Sequence, residues 1–370
     1  MAARRTLAAL ALTAGIMYFR IDPEQRARFK RCRRQWDFAS RRRLEPLDAA
    51  GPALPAAVKD ALAVYYYPGT WDWQHDLKQS LVHKAVERSL NDADAGALIE
   101  AATALLDCYD AWAKTIDDFA PVKIDHDVAG LLTDPEETER GLLTPNGSGV
   151  VYACRVDLLA VDVADEYWVV RHQIVDDWQD TDALVRDEEA IAACWAWEQD
   201  YMGMEIVGTI HNEVRIGGPL DLPAAATAKH QPVAQHEGSG GGRSIPQHQR
   251  VSARASRVNV ARRVDENTAG PIRRTRIRRS RQEIADVGRQ LAVEALDMVS
   301  GPAIYPSPAA HCSACEFAAP CLVLFEGGDP EPILEARFRQ RPVSAQPKPR
   351  LGQATWGFGR GAAPPNWGDQ

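Results

Sequence analysis

The sequence predicts an α/β protein built from several helices and one clear pair of β-strands. Apolar residues recur at three- and four-residue steps over residues 56–120, which is typical of helices. Residues 150–163 and 167–175 are instead rich in Val, Tyr and Trp and are separated by a tight turn, which predicts a β-hairpin. With 370 residues and 45% hydrophobic content, the chain can bury a large core in one elaborated domain or two.

The N-terminus, residues 1–20, is a doubtful extension. Its residues 2–17 resemble a short signal peptide, with Arg4 and Arg5 before an apolar run that is too short to span a membrane. The arginine-rich continuation argues against export, so we expect Met17 to be the true start. Because no other long apolar run follows, we expect a cytoplasmic protein with no membrane partner.

Residues 21–135 are expected to form an N-terminal helical part, and residues 136–216 an α/β core that contains the hairpin. A helix is predicted to begin at Pro23 and to run to Arg43. One side of this helix carries Phe29, Cys32, Trp36 and Ala39. The aromatic residues Tyr65, Tyr66 and Tyr67 are interpreted as core packing rather than as a platform for stacking bases.

The C-terminal half is expected to contain an insertion, an ordered segment and a tail. Residues 217–270 are rich in Gly, Pro, Gln and His, which is typical of a flexible insertion. Order is expected to resume over residues 271–326, where Ser280 and Glu283 have the spacing of a capping box at the start of a helix. Residues 327–370 are expected to be a disordered tail.

The net charge of −8 conceals two strongly basic blocks. Residues 1–43 carry eleven Arg and one Lys against three acids, and residues 250–281 carry eleven Arg against two acids. Such segregation favours a strip that binds a polyanion, although two solvated basic faces would give the same pattern. The arginines that we expect to contact nucleic acid are Arg31, Arg33, Arg34, Arg273, Arg274, Arg276, Arg278 and Arg279.

Four cysteines have a spacing that indicates a metal site. Cys312, Cys315 and Cys321 lie close together in the sequence, and Cys32 is the natural distant fourth ligand. Four thiolates suit an iron-sulfur cluster or zinc. Zinc more often uses paired Cys-x2-Cys units, so we favour the cluster, with zinc and plain buried thiols as alternatives. The remaining cysteines, at positions 108, 154 and 194, are expected to lie in the core.

This arrangement of cysteines resembles that of the iron-sulfur nucleases of the PD-(D/E)XK superfamily, and in particular the RecB-like group with its AddB-type subunits and CRISPR-associated exonucleases. The resemblance covers residues 29–38, 81–197 and 277–325. It implies a nuclease-like core at 136–216 with a mixed sheet flanked by helices, and a C-terminal cysteine region holding a 4Fe-4S cluster. It also implies DNA as a partner, with a repair or helicase protein as a further candidate.

The hairpin carries the positions that the resemblance assigns to catalysis. A PD-(D/E)XK nuclease places one acid on the first strand and an acid-x-lysine on the second, where two carboxylates hold Mg²⁺ and the lysine orients water. Asp157 supplies the first acid, whereas Arg171 and Gln173 occupy the acid and lysine positions. A glutamine can still orient water. A guanidinium in a metal site would repel a divalent cation. By an order-of-magnitude Coulomb estimate, this repulsion costs several kcal/mol of binding free energy.

Other residues could compensate for the altered motif. His83 lies where RecB-like nucleases present a metal-binding histidine, although a single helical histidine is more often structural. Asp176 and Asp177 follow the second strand, and Asp187, Glu188 and Glu189 open the next predicted helix, where acids are expected in any case. For Asp187, Glu188 and Glu189, the simpler interpretation is a solvated helix start.

We therefore predict a nuclease-like protein that binds DNA or a repair partner and has lost catalysis, with the cluster in a structural role. The first alternative is an active Mg²⁺-dependent DNA exo- or endonuclease that uses Asp157, with Gln173 and His83 in support. The second alternative is a zinc-stabilised scaffold for protein partners. No glycine-rich loop with the context of a nucleotide site is present.

Overall fold

The computed structural model describes residues 18–48, 54–70, 73–90, 95–201, 204–216 and 264–341. The expected start at Met17 and residues 217–263 of the expected insertion lie outside the described residues, as do residues 342–370 of the expected tail. Among the described residues, no helix is both long enough and apolar enough to cross a membrane.

Ten α-helices are named here within the described residues. They are α1 (Pro23–Arg31), α2 (Arg33–Trp36), α3 (Leu54–Tyr65), α4 (His75–Ser89), α5 (Gly96–Ile116), α6 (Thr181–Val185), α7 (Glu188–Asp200), α8 (Arg281–Val299), α9 (Ala318–Phe325) and α10 (Glu331–Arg337). A π-helical stretch, Asp37–Arg41, follows α2, and short 3-10 turns occur at Pro68–Thr70 and Ala310–Ala314.

Among the residues that the structure describes, nine β-strands form one large sheet and one small one. The strands are β1 (Phe19–Ile21), β2 (Leu44–Pro46), β3 (Phe119–Leu131), β4 (Val150–Asp162), β5 (Tyr167–Val175), β6 (Ile206–Arg215), β7 (Val264–Ala269), β8 (Ile272–Arg278) and β9 (Phe338–Gln340). The large sheet has the order β1-β4-β5-β6-β8-β7, with β3 also paired to β4, and β2 pairs with β9 separately.

The large sheet is mixed and is flanked by helices, as the sequence led us to expect. The β1/β4 and β5/β6 pairs are parallel, whereas β3/β4, β4/β5, β6/β8 and β7/β8 are antiparallel. Helices α3, α4 and α5 pack on one face around Leu62, Leu106 and Val170. Helices α7 and α8 pack on the other face around Trp197 and Leu291.

Several local predictions are confirmed. The hairpin is present as β4 and β5, and Ser280 and Glu283 form the capping box that begins α8. Phe29, Cys32 and Trp36 are buried together with Ala39. The predicted single helix over residues 23–43 is instead divided at Cys32, whose extended backbone (φ −160°) ends α1 and begins α2.

Several strands lie where the sequence predicted something else. β3 falls inside the expected helical part, although Val122, Ile124 and Val128 alternate with charged residues as in a half-buried strand. β7 lies inside the expected flexible insertion, and β8 was interpreted only as a basic block. In the expected tail, α10 and β9 are ordered because β9 pairs with β2.

Close packing between α7 and α8 depends on a glycine. A Cβ atom at Gly288 would lie 2.2 Å from Nε1 of Trp195, so no side chain fits there. We expect Gly288→Ala to lower the free energy of unfolding by about 1–3 kcal/mol, because overpacking exceeds the gain in helix propensity. Gly96→Ala is the matched control, since nothing lies within 4 Å of its Cβ position. Equal urea midpoints for the two variants would contradict this prediction.

Candidate functional site

Asp157 lies where the two strands of the hairpin separate. β4 and β5 pair only over residues 158–161 and 167–170, and the first part of β4 pairs with β1 instead. The carboxylate oxygen Oδ2 of Asp157 accepts a hydrogen bond from the backbone N–H of His172 at 2.8 Å. The same oxygen lies 3.3 Å from Nζ of Lys59, which α3 contributes. The predicted catalytic acid is therefore already bound by donors of the protein itself.

The Asp157 carboxylate is charged despite its burial. Its side chain is 14% exposed and that of Lys59 is 30% exposed. Burial acts to raise the pKa of Asp157, but the charge of Lys59 and the interactions with His172 hold that pKa below its usual value. The negative charge at this site is thus balanced by an ammonium group.

Two acids at the start of α7 hold the guanidinium of Arg171. Nη1 donates to Oδ2 of Asp187 at 2.6 Å, and Nη2 donates to Oε2 of Glu189 at 3.0 Å. Asp187 also caps α7 by accepting from the backbone N–H groups of Glu189 and Ala190. These two acids, which the sequence offered as substitute metal ligands, serve instead as partners of Arg171. Glu188 likewise pairs with Arg26 and Lys30.

Gln173 takes part in a hydrogen-bond network on the side of the sheet that α7 covers. Its Oε1 lies 3.2 Å from Nδ1 of His211, which must therefore donate. Nε2 of the same ring then accepts from the hydroxyl of Thr209 at 3.2 Å. Burial lowers the pKa of His211 well below its ordinary value, so the ring is neutral, as these hydrogen bonds require. The side-chain oxygen of Gln173 is engaged in this network.

His83 lies on α4 and has a different partner from the hairpin residues. Its Nε2 is 2.9 Å from Oδ1 of Asp107 on α5. Asp176 and Asp177 are exposed after β5. Within the described ranges, no group of three or more His, Cys, Asp or Glu side chains is arranged to hold a metal ion. The three predicted catalytic residues thus each interact with a separate neighbour.

The arginines of β8 are largely taken up by ion pairs inside the molecule. Arg273 binds Glu213, and Arg274 binds Asp117 at 2.7 Å, Asn212 at 2.7 Å and the hydroxyl of Tyr66. Both guanidinium groups are buried, as is Arg279, which donates to the carbonyl groups of Leu184 and Val185. The prediction that all of these arginines line one surface is therefore wrong for Arg273, Arg274 and Arg279.

Arg276 and Arg278 remain nearer to solvent but are also paired. Arg276 binds Asp118, and Arg278 donates to Glu166 at 3.0 Å. Of the N-terminal block, Arg33 binds Asp297 in α8, Arg34 is partly buried, and Arg31 is exposed. Within the part of the chain that the structure describes, acids from distant segments thus pair with Arg33, Arg276 and Arg278.

The segment around Cys32 packs against the C-terminal segment. The backbone N–H of Arg34 donates to the carbonyl of Tyr305 at 3.1 Å. Arg28 lies 3.7 Å from Glu316, and the rings of Phe38 and Phe317 are 5.4 Å apart. The two ends that the cysteines were expected to join are therefore neighbours.

Three of the four cysteines are close enough for their charges to interact. Burial raises the pKa of Cys315, and the charges of Glu316, Cys32 and Cys312 add to this, against a hydrogen bond from the backbone of Phe317. The backbone N–H of Ala309 lies 3.5 Å from Sγ of Cys312. Cys321 lies on α9, one turn after Phe317, whose carbonyl accepts from its backbone N–H at 3.0 Å.

The surroundings of these thiols include a backbone N–H donor close to a cysteine sulfur. Backbone N–H donors directed at cysteine sulfur are a usual feature of thiolate sites. In addition, Nε2 of His311 is buried without a hydrogen-bond partner among the described residues. Four thiols have the chemistry of a thiolate metal site, but the side chains of Cys32, Cys312, Cys315 and Cys321 are not grouped as metal ligands among the described residues. Cys154 and Cys194 are buried in the core, as expected, whereas Cys108 is only partly buried.

Sequence reasoning missed Lys59, whose ammonium group is the cation 3.3 Å from the carboxylate of Asp157. Its only local signal is a position on an amphipathic helix, which predicts a solvated lysine. It also missed the buried ion pair between Asp125 and Arg155, beside Asp157. Asp125 has a positive φ of 44°, a backbone strain that no sequence pattern announced.

Comparisons with known proteins add little. No protein-family model matches the chain, and no curated protein matches it. A solved structure titled "Crystal structure of SSO0001" is similar over 70% of this chain and 82% of that chain, with 9% identity and a TM-score of 0.29. A TM-score this low carries no argument about fold or function.

Proposed function

We propose that this protein is a PD-(D/E)XK nuclease-like DNA-binding protein that does not cleave DNA and that serves in repair, recombination or defence. The observation that carries the loss of catalysis is the environment of Asp157. Its charge is balanced by Lys59, and the acids nearest to Arg171 are bound to that arginine. Metal-dependent phosphodiester hydrolysis needs carboxylates free to hold the ion.

A cleavage assay tests this proposal directly. With Mg²⁺ or Mn²⁺ and single- or double-stranded DNA, we expect no cleavage above that of an Asp157→Ala variant. Asp165→Ala, in the exposed turn after β4, is the control substitution. Robust cutting that Asp157→Ala abolishes and Asp165→Ala preserves would establish the alternative, an active nuclease.

We further propose that Cys32, Cys312, Cys315 and Cys321 hold an iron-sulfur cluster in a structural role. Such a cluster would be a covalent link between the N-terminal helix and the C-terminal segment. Protein purified without oxygen should contain iron and sulfide in comparable amounts. Zinc without sulfide would identify the zinc alternative.

Loss of the cluster should destabilise the fold, because metal binding contributes to folding. We expect Cys32→Ser to lose most bound iron and to melt at a lower temperature than the parent. Cys108→Ser, outside the proposed ligand set, should retain its iron. Equal iron content in the two variants would exclude Cys32 as a ligand.

The affinity for DNA should fall less steeply with salt than it would if six arginines contacted phosphate groups. Six phosphate contacts would give a slope of log affinity against log salt of about −5. Since three of the eight arginines predicted to contact nucleic acid are buried, we expect at most five contacts and a slope no steeper than about −4.5. Arg276→Gln and Arg278→Gln should each flatten it by about one unit, while Arg140→Gln, remote from β8 in sequence, should not.

The second candidate function, a scaffold for protein partners, is favoured by one observation. The arginines of β8 are satisfied by Glu213, Asp117, Asp118 and Glu166, so they do not require phosphate. Absence of measurable DNA binding at low salt, with the metal centre intact, would establish this scaffold function instead.

A further inference from the structure

Tyr305 is an exposed aromatic residue in the segment that leads to the C-terminal cysteines. The residue is 49% exposed, and it follows α8 in a stretch without a helix or a strand. The preceding residue, Ile304, packs against the core that α7 and α8 cover. The following residue is Pro306, whose ring restricts the backbone. The Tyr305 ring is therefore displayed at the surface from an anchored backbone.

The guanidinium of Arg33 supports the Tyr305 ring. Its central carbon lies over two rings, 5.3 Å from the centroid of Tyr305 and 4.6 Å from that of the buried Phe29. Asp297 on α8 fixes the same guanidinium, since Nη1 of Arg33 donates to Oδ1 of Asp297 at 3.3 Å. Because the ring is already held in place, a ligand that covers it costs little side-chain entropy.

Two further arginines flank Arg33 in the chain. The backbone N–H of Arg34 donates to the carbonyl of Tyr305 at 3.1 Å, and Arg31 is the last residue of α1. Arg31 is exposed and Arg34 is partly buried. Among the described residues, Arg33 has an acid as its partner, whereas no ion pair involves Arg31 or Arg34. Guanidinium groups match the geometry of phosphate, so these two side chains suit a phosphate backbone.

We propose that Tyr305 is a stacking platform for one base of single-stranded DNA, and that Arg31 and Arg34 bind the phosphates next to that base. This inference rests on the proposed function, because it names the form of DNA that the protein binds. Bases inside a duplex are covered by their neighbours, whereas an unstacked base can lie on an exposed aromatic ring. A ring beside arginines is the usual composition of a surface that binds single strands.

Fluorescence anisotropy with a short labelled oligothymidine tests the inference. Tyr305→Ala should weaken binding by about 5- to 100-fold, the effect of losing one stacked base. Tyr305→Phe and Tyr305→Trp should bind like the parent, because stacking needs the ring and not the hydroxyl. Phe325→Ala, which removes a ring that is 78% exposed on α9, is the matched control and should also bind like the parent.

The salt dependence separates the ring from the arginines. Stacking releases no counterions, so Tyr305→Ala should weaken binding at every salt concentration and leave the slope of log affinity against log salt unchanged. Arg34→Gln should instead flatten that slope by about 0.7 unit, the value for one phosphate contact on a single strand. Duplex DNA should bind the parent and Tyr305→Ala equally. An equal loss of affinity for duplex DNA would overturn the assignment to single strands.

Thermal melting shows whether the variants are folded, because Tyr305→Ala also removes a contact of Arg33. If this variant does not fold, Tyr305→Leu serves the same comparison, since it keeps an apolar side chain against the guanidinium. A folded variant without the ring that binds single-stranded DNA as tightly as the parent overturns the inference and leaves the proposed function standing. A parent that binds no DNA overturns both. Cleavage of DNA by the parent would overturn the loss of catalysis alone.

Discussion

Replacing Arg274 with methionine should lower the free energy of unfolding by about 2–3 kcal/mol, because it removes a buried guanidinium and the hydrogen bonds that this group donates. Arg274 is 3% exposed and donates to Asp117, Asn212 and the hydroxyl of Tyr66. Its guanidinium also lies over the ring of Trp112, 4.8 Å from the ring centroid. The substitution leaves the amide oxygen of the buried Asn212 without this donor and removes the ion pair with Asp117, whose side chain is 22% exposed.

Arg278→Met is the matched control on the same strand. The Arg278 side chain is 53% exposed and pairs with Glu166 near solvent. Exposed pairs of this kind contribute about 0–1 kcal/mol, so the control should unfold close to the parent midpoint in urea. Similar losses for the two variants would show that burial of Arg274 does not govern its contribution.

Lowering the pH from 6.5 towards 4 should destabilise the protein by about 3 kcal/mol through His172 alone. Burial lowers the pKa of His172 from 6.5 to about 4, and Lys59 and Arg274 act in the same direction against Asp157. Between these two values the unfolded chain binds a proton that the folded chain does not. Stability is therefore complete above pH 6.5 and decreases as the pH falls towards 4.

Urea unfolding at several pH values would measure this dependence. His172→Gln should reduce the slope of unfolding free energy against pH by about one proton in this range. His211, whose pKa is also lowered by burial, adds to the slope in the parent, so a His172→Gln/His211→Gln variant should flatten it further. An unchanged slope in both variants would exclude these histidines as the titrating groups.

Local patterns in the sequence predicted those elements whose cause is local. The capping box at Ser280 depends on residues three apart, and the hairpin depends on two adjacent runs of β-favouring residues. The buried side of the first helix was also predictable, because Phe29, Cys32 and Trp36 recur at helical spacing. Even the break at Cys32 leaves these residues buried on the same side.

The strands β8 and β9 were missed because their stability comes from distant partners. β8 carries four arginine residues and two isoleucine residues, a composition with little sequence evidence of burial, yet Glu213 and Asp117 compensate part of its charge. β9 is only three residues long and exists by pairing with β2. Local propensity cannot predict pairing with an acid or a strand that lies far away in the sequence.

The amino-acid sequence by itself determined the α/β class, the hairpin that presents Asp157 and the replacement of the expected acid and lysine by Arg171 and Gln173. Only the tertiary structure decided that Lys59 balances Asp157, that Arg171 binds Asp187 and Glu189, and that Arg273 and Arg274 pair with acids inside the molecule. The physical reason is that charge compensation depends on distances of a few ångströms between residues far apart in the chain. Folding creates those distances, and composition does not record them.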